Sequence, residues 1–288
     1  MSRTKKNKKL HKKTNKPKRS KKPYILALLF VIIGSILIIA YVNTKTITVH
    51  EHPVRLTNLP AENHGFKIIH FSDLHYGSSF SGNDLERLIK AIERAKPDLI
   101  VFTGDLIEDT VSRTEERLLV EHLNKLDPSI GTYAVFGDID KERAIDIFEQ
   151  TNITVLENSL EAIYSNSHDP IYLFGLTYSN PNFDELIENK ELVQNHVVIL
   201  LTHHPDHFNQ LSEVPVNLVL AGHSHNGQIN LPLIDLWNRI DRDIVYSRAF
   251  TRVDETMIYT SAGIGTKYIP IRFGAPSSLN LYRLLASE

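Results

Sequence analysis

Five short apolar runs each end in an aspartate or a histidine: Phe66–Ser72 before Asp73, Leu99–Gly104 before Asp105, Tyr133–Gly137 before Asp138, Val197–Thr202 before His203 and Leu218–Gly222 before His223. Each run reads as a strand. In an open α/β sheet the ligand crevice lies outside the carboxyl ends of the strands, so these side chains are predicted to converge. Two of the runs add a histidine at i, i+2 spacing, His75 after Asp73 and His225 after His223. Mixed carboxylates and imidazoles suit a borderline first-row cation such as Mn²⁺, Zn²⁺ or Fe, whereas Ca²⁺ takes oxygen only. The set is larger than one tetrahedral ion needs. Two ions sharing one carboxylate would use it fully, in the clamp that serves in-line displacement at phosphorus.

The series Asp73-Leu74-His75, Gly104-Asp105, Gly137-Asp138, Thr202-His203-His204-Pro205-Asp206 and Gly222-His223-Ser224-His225 resembles the calcineurin-like metallophosphoesterases in order and spacing. The segments Asn226-Gly227-Gln228-Ile229, Ala262-Gly263-Ile264-Gly265 and Pro270-Ile271-Arg272-Phe273-Gly274 are similar to the membrane-associated bacterial branch of that family, and the resemblance covers roughly residues 64–285. It implies the family's four-layer α/β/β/α sandwich. It also implies that Asp73, His75 and His225 hold a first metal, that Asp105 bridges, and that Asp138, His203 and His223 hold a second. A hydroxide between the ions would then hydrolyse a phosphodiester or phosphomonoester, since the cations lower the pKa of bound water.

One motif departs from the family pattern. Where that pattern is Gly-Asn-His-Asp or Gly-Asn-His-Glu, this chain reads Gly137-Asp138-Ile139-Asp140. Asp138 still offers oxygen, but it makes a third carboxylate beside Asp73 and Asp105, which should blunt the metals' acidity toward water. Ile139 replaces a histidine that resemblance places beside the phosphate as donor or general acid, a role typically worth about 10²–10⁴ in rate. No other catalytic acid is assigned; His204 and His168 are the candidates for a replacement donor. Two readings therefore stand: an active metal-dependent phosphoesterase, and a catalytically weak metal-binding scaffold of the same fold. A eukaryotic retromer subunit of the superfamily, which also has Asp at the Asn position and lacks the His, illustrates the second.

The elements between the motifs alternate strand and helix. Asp84–Ala95 places Leu85, Leu88, Ile89 and Ile92 on one face, Thr114–Leu126 repeats the pattern with Leu118, Leu119, His122 and Leu126, and Lys141–Gln150 is a third, shorter helix. Such helices after successive strands imply a mostly parallel sheet with right-handed crossovers. Ile153–Leu156, Ile171–Leu176, Met257–Ser261 and Ser278–Leu284 read as further strands. His50, His52, His64, His70, His122, His168, His196 and His207 fall outside the motifs and are read as surface or core histidines. Asp140 and Asp206 are read as caps of loops or helices. Trp237, in the apolar insertion Leu231–Ile240, is read as partly buried.

The N-terminus sets the expected location. Residues 1–22 hold 12 Lys or Arg and no acid, and Tyr24–Val42 follows with 19 uncharged residues. That is close to the roughly 20 residues that span hydrocarbon. The apolar run is longer than the 7–15 residues of a signal-peptide core and lacks a small-x-small cleavage site, so an uncleaved anchor is expected rather than a cleaved leader. By the positive-inside rule the domain lies outside the cytoplasm. The expected organisation is a basic cytoplasmic tail at 1–22, a transmembrane anchor at 23–43, a juxtamembrane link at 44–63 and a metallophosphoesterase domain at 64–288.

Removing the 12 basic residues of the tail from the total of 32 leaves 20 against 34 acids, a charge of −14 for residues 23–288. A domain so acidic repels polyanions, so nucleic acid is not expected as a partner. The expected partners are the membrane and an envelope-derived phosphate ester. The chain has no cysteine, which removes disulfide frameworks, Cys-based zinc sites and thiol nucleophiles.

Overall fold

Strands buried on both faces read as continuous apolar runs, and that is how the five motif strands are used. The computed structural model describes residues 21–211, 215–231, 234–235 and 244–287. In chain order the strands begin with β1 (Thr48–Leu56), β2 (Lys67–Phe71), β3 (Leu99–Thr103), β4 (Gly131–Val135) and β5 (Ile153–Val155). There follow β6 (Ser159–Ile163), β7 (Ile171–Leu176), β8 (Val197–Thr202), β9 (Leu218–Ala221), a two-residue hairpin of β10 (Asn230–Leu231) and β11 (Ile234–Asp235), β12 (Phe250–Val253), β13 (Thr256–Thr260) and β14 (Ser278–Ala286). Two six-stranded sheets result, ordered β1-β14-β2-β3-β4-β5 and β12-β13-β9-β8-β7-β6. Pairing is parallel except for β14 with β2, β6 with β7 and β12 with β13.

The helices are α1 (Lys22–Lys45), α2 (Gly82–Ala95), α3 (Arg113–Leu123), α4 (Glu142–Phe148), α5 (Asp184–Glu188) and α6 (Lys190–Val193). Capping boxes start two of them, Ser81 with Asp84 at α2 and Ser112 with Glu115 at α3, so orphan N–H groups of the first turn are satisfied locally. Alternate residues of each central strand feed different cores. In β3, Leu99 and Val101 pack between the sheets while Ile100 and Phe102 pack against α2, α3 and α4. In β8, Val197, Ile199 and Leu201 face the first sheet while Val198 and Leu200 join Leu186 of α5 and Val193 of α6. Three apolar layers between four structural layers make the α/β/β/α sandwich.

Several expectations need correction. Residues 44–63 are not a free link. Thr48–Leu56 pairs in parallel along its whole length with β14, and Lys45 Nζ lies 2.5 Å from Ser79 O and 2.9 Å from Asp84 Oδ2. In this edge strand only Val54 and Leu56 are buried, and Pro53, which has no N–H to donate, is tolerated there. The inward face of α3 is Glu116, Leu119 and Leu123, whereas Leu118 is exposed and the helix stops before Leu126. His168 lies in the turn before β7, at the amino end of that strand and so at the opposite edge of the sheet from the site; it cannot serve as the replacement donor. Trp237 and residues 1–20 lie outside the described residues.

The chain divides between Ile38 and Ile39 into two compact units. In the first, α1 exposes the consecutive residues Leu28, Leu29, Phe30 and Val31, which together point to every side of the helix, a pattern that fits lipid and not water. The segment Tyr24–Lys45 is long and apolar enough to cross a membrane.

Candidate metal centre

Asp73 and His75 follow β2, Asp105 follows β3 and Asp138 follows β4, while His203 follows β8 and His223 and His225 follow β9. The carboxyl edges of both sheets thus meet, and all seven residues gather there. They sort into groups in which one atom per residue lies within 4.8 Å of the others: Asp73, His75 and His225; Asp138, His203 and His223; and, between these, Asp73, Asp105 and His203. In the first, His75 Nε2 is 3.2 Å from His225 Nε2, which is 3.5 Å from Asp73 Oδ1. In the second, His203 Nε2 is 3.1 Å from Asp138 Oδ1 and 3.3 Å from His223 Nδ1. Asp105 touches both, with Oδ2 3.4 Å from His75 Nε2 and Oδ1 3.4 Å from His203 Nε2.

The backbone is bent to achieve this. Asp73, His75, Asp105, His223 and His225 all have φ between 43° and 68°, a left-handed conformation uncommon for residues other than glycine. Such strain persists where the surrounding structure over-determines it, typically at functional sites. Gly104 has a structural reason as well: a Cβ there would stand 2.5 Å from Gly137 N, so the loops bearing Asp105 and Asp138 could not meet.

Burying Asp73, Asp105 and Asp138 together is costly unless positive charge enters. Protons supply it where no cation does. Burial, against the pull of His203 and with repulsion from Asp73, pushes the Asp105 carboxyl up to about 7. Burial opposes charge on His203, but Asp105 and the hydrogen bond to Asp138 prevail and raise it to about 10. His75 is likewise held above its ordinary value, burial being outweighed by its bond to Glu108 and the fields of Asp105 and Asp73. Asp105 Oδ2 is buried without a hydrogen-bond partner. An orphaned carboxylate oxygen amid clustered imidazoles and carboxylates fits divalent cations.

Residues behind the cluster orient it. His75 Nδ1 is 2.7 Å from Glu108 Oε1 and His203 Nδ1 is 2.7 Å from Thr103 O, so each ring turns Nε2 inward; such outer partners fix tautomer and direction in metal sites. Arg272 is fully buried, donates to Ala275 O at 3.0 Å and to Gly265 O, and lies 3.2 Å from His225 Nδ1. Burial lowers its pKa to about 10, which leaves it a cation at neutral pH. Asp140 accepts from Asp105 N, Leu106 N and Gly137 N, each at 2.8 Å, and ties the two aspartate loops together. Asp206 accepts from Val245 N and Tyr246 N. Both act as the loop caps expected of them.

A cavity of about 420 Å³ lined by Tyr178, Ser179, His204, Asp206, His207 and Gln210 adjoins the second group. The His204 ring lies 4.7 Å from that of His223, and Tyr178 lies 5.8 Å from His203. His204 Nδ1 accepts from Asp206 N, so its other nitrogen is the one free to face a ligand. Glu108, Tyr178, Lys267 and Arg272 were not legible as site residues; of these, only Arg272 fell inside a quoted motif.

Comparison with known proteins identifies the family. The model of the calcineurin-like phosphoesterase family matches residues 66–227. The chain is 30% identical over 256 residues to the uncharacterized metallophosphoesterase YkuE of Bacillus subtilis, covering 86% of this chain and 89% of that protein. It is 24% identical to the UDP-2,3-diacylglucosamine pyrophosphatase LpxG of Chlamydia muridarum, over 80% of this chain and 87% of that one. A transmembrane protein with metallophosphoesterase domain from Danio rerio is 29% identical over 80% of this chain, which spans 55% of that protein. Among solved structures, the phosphoesterase Yfce of E. coli aligns with a TM-score of 0.41 at 15% identity, over 75% of this chain and 87% of that one. The chain belongs to the calcineurin-like phosphoesterase family, a class of metal-binding hydrolases of phosphate esters.

Proposed function

We propose that this protein is a membrane-anchored, extracytoplasmic phosphoesterase that works with two divalent metal ions on an envelope phosphodiester or phosphomonoester. The observation that carries the reading is the sorting of six donors into two groups of three on either side of Asp105, the seventh, whose Oδ2 is buried without a hydrogen-bond partner. Asp73, His75 and His225 would hold one ion, Asp138, His203 and His223 the other, and Asp105 would touch both. Divalent ions held there supply Lewis-acid charge and a bound water of lowered pKa. Mn²⁺, Zn²⁺ and Fe all suit this donor set.

The protein's own residues supply the rest. Glu108 and Thr103 O hold the imidazoles in register. Asp140 keeps the Asp105 and Asp138 loops together, and losing it would leave three buried N–H groups unpaired, at roughly 1–3 kcal/mol each. The name of the Chlamydia muridarum relative, a diacylglucosamine pyrophosphatase, favours a lipid-borne phosphate presented at the membrane surface.

Hydrolysis of bis-p-nitrophenyl phosphate with added Mn²⁺ tests the activity. The wild type is expected to turn over, and Asp105→Asn to abolish turnover. Tight Mn²⁺ binding without turnover would favour the scaffold, the reading that Asp138-Ile139 supports. Topology is tested separately, by protease added to intact cells after removal of any wall. Digestion beyond residue 43 with a protected tail is expected; a fully protected domain would reverse the orientation and reopen cytosolic substrates.

A further inference from the structure

The third carboxylate has a partner in the fold. Lys267 Nζ stands 3.5 Å from Asp138 Oδ2, and the lysine side chain is only 18% exposed. Its backbone is fixed by Gln228, itself 1% exposed, whose Oε1 accepts from Lys267 N at 2.8 Å while Nε2 donates to Lys267 O, Ile269 O and Ile271 O. A loop far along the chain is thereby clamped so that one ammonium faces the metal cluster. The placement is not that of a surface ion pair, because both partners are largely buried and the clamp leaves the backbone of Lys267 no other course.

We infer that Lys267 is the phosphate-binding cation of this site, standing in for the family's histidine and offsetting the charge that Asp138 brings in place of asparagine. This rests on the dinuclear reading above. Relative to the family pattern, Asp138 removes one unit of positive charge from the loaded centre and Lys267 restores it. The ammonium carries three donors, and its one carboxylate contact among the described residues is long, at 3.5 Å. Donors remain for a phosphoryl oxygen, toward which lysine acts as a point charge. Ile139, beside Asp138, supplies no donor from its side chain.

The test is calorimetric titration of inorganic phosphate into the full-length protein in detergent, loaded with Mn²⁺, with bound Mn²⁺ counted in the same samples. Lys267→Met is expected to weaken phosphate binding about tenfold, the size of a lost charge-assisted bond, with Mn²⁺ content unchanged. Lys267→Arg should stay within about threefold of the wild type. Adding Asp138→Asn to Lys267→Met should recover part of the loss, because the centre regains its charge. Undiminished phosphate affinity in Lys267→Met overturns the assignment, and so does a loss of Mn²⁺ from that variant, which would mark the lysine as structural. A wild type that takes up no Mn²⁺ contradicts the dinuclear reading itself, and the role of Lys267 falls with it.

Discussion

Asp73→Ala and His225→Ala are each expected to cost at least about 10² in turnover and to lower bound metal by one ion per chain. Both residues belong to the group that also holds His75, and His225 and Asp73 approach within 3.5 Å across the two sheets. Even outer partners of metal ligands typically cost 10–100-fold when removed, so deleting a ligand should cost no less. A second readout is independent of catalysis. A cation that binds the native state alone stabilises it by RT ln(1 + [L]/Kd), about 2.7 kcal/mol at a hundred times Kd. The rise in melting temperature on adding Mn²⁺ should therefore shrink in both variants. Unchanged metal content in both would remove Asp73 and His225 from the ligand set.

The second large effect is a gain. Restoring the family pattern with Asp138→Asn and Ile139→His should raise activity up to about 10²-fold on esters with poor leaving groups, the usual scale of general-acid help. Nitrophenyl esters, whose leaving group needs no proton, should gain little. The structure offers two reasons for the difference. Ile139 donates through its backbone N to Asp105 Oδ1 at 3.2 Å, so position 139 is already beside the cluster and a histidine there would be near the reacting group. Asp138 is tied to His203 and Lys267, so an asparagine in its place leaves a more strongly positive centre. A folded, metal-loaded double variant that is no faster on any ester would mean that another group, such as His204, already delivers the proton, or that the surface is given over to binding.

The convergence of the seven candidate donors was legible because each follows a buried strand end, and such ends are marked locally by an apolar run followed by Gly-Asp, Gly-His or a similar step. Both sheets obey the same rule, so residues 150 positions apart, such as His75 and His225, could be placed together without a structure. Residues that act from behind carry no such mark. Glu108 is one of many acids in a turn, and Lys267 and Arg272 reach the cluster only because Gln228 and the Gly265 and Ala275 carbonyls hold their loop. The edge strand β1 was missed for a related reason. Its sequence, with Pro53 and exposed His50 and Glu51, has the polarity of a linker, and only pairing with β14 makes it a strand. His70, which its position outside the motifs left as either a surface or a core histidine, is a core one: fully buried, 2.8 Å from Thr103 Oγ1, and lowered to about 3 by burial.

Titration of metal-free, full-length protein with Mn²⁺, with bound metal and hydrolysis of bis-p-nitrophenyl phosphate followed together, tests the central claim most directly. Two equivalents should bind, with turnover appearing as the second site fills, because a group of three possible donors lies on either side of Asp105. Saturation at one equivalent, or turnover indifferent to added metal, would contradict a dinuclear phosphoesterase.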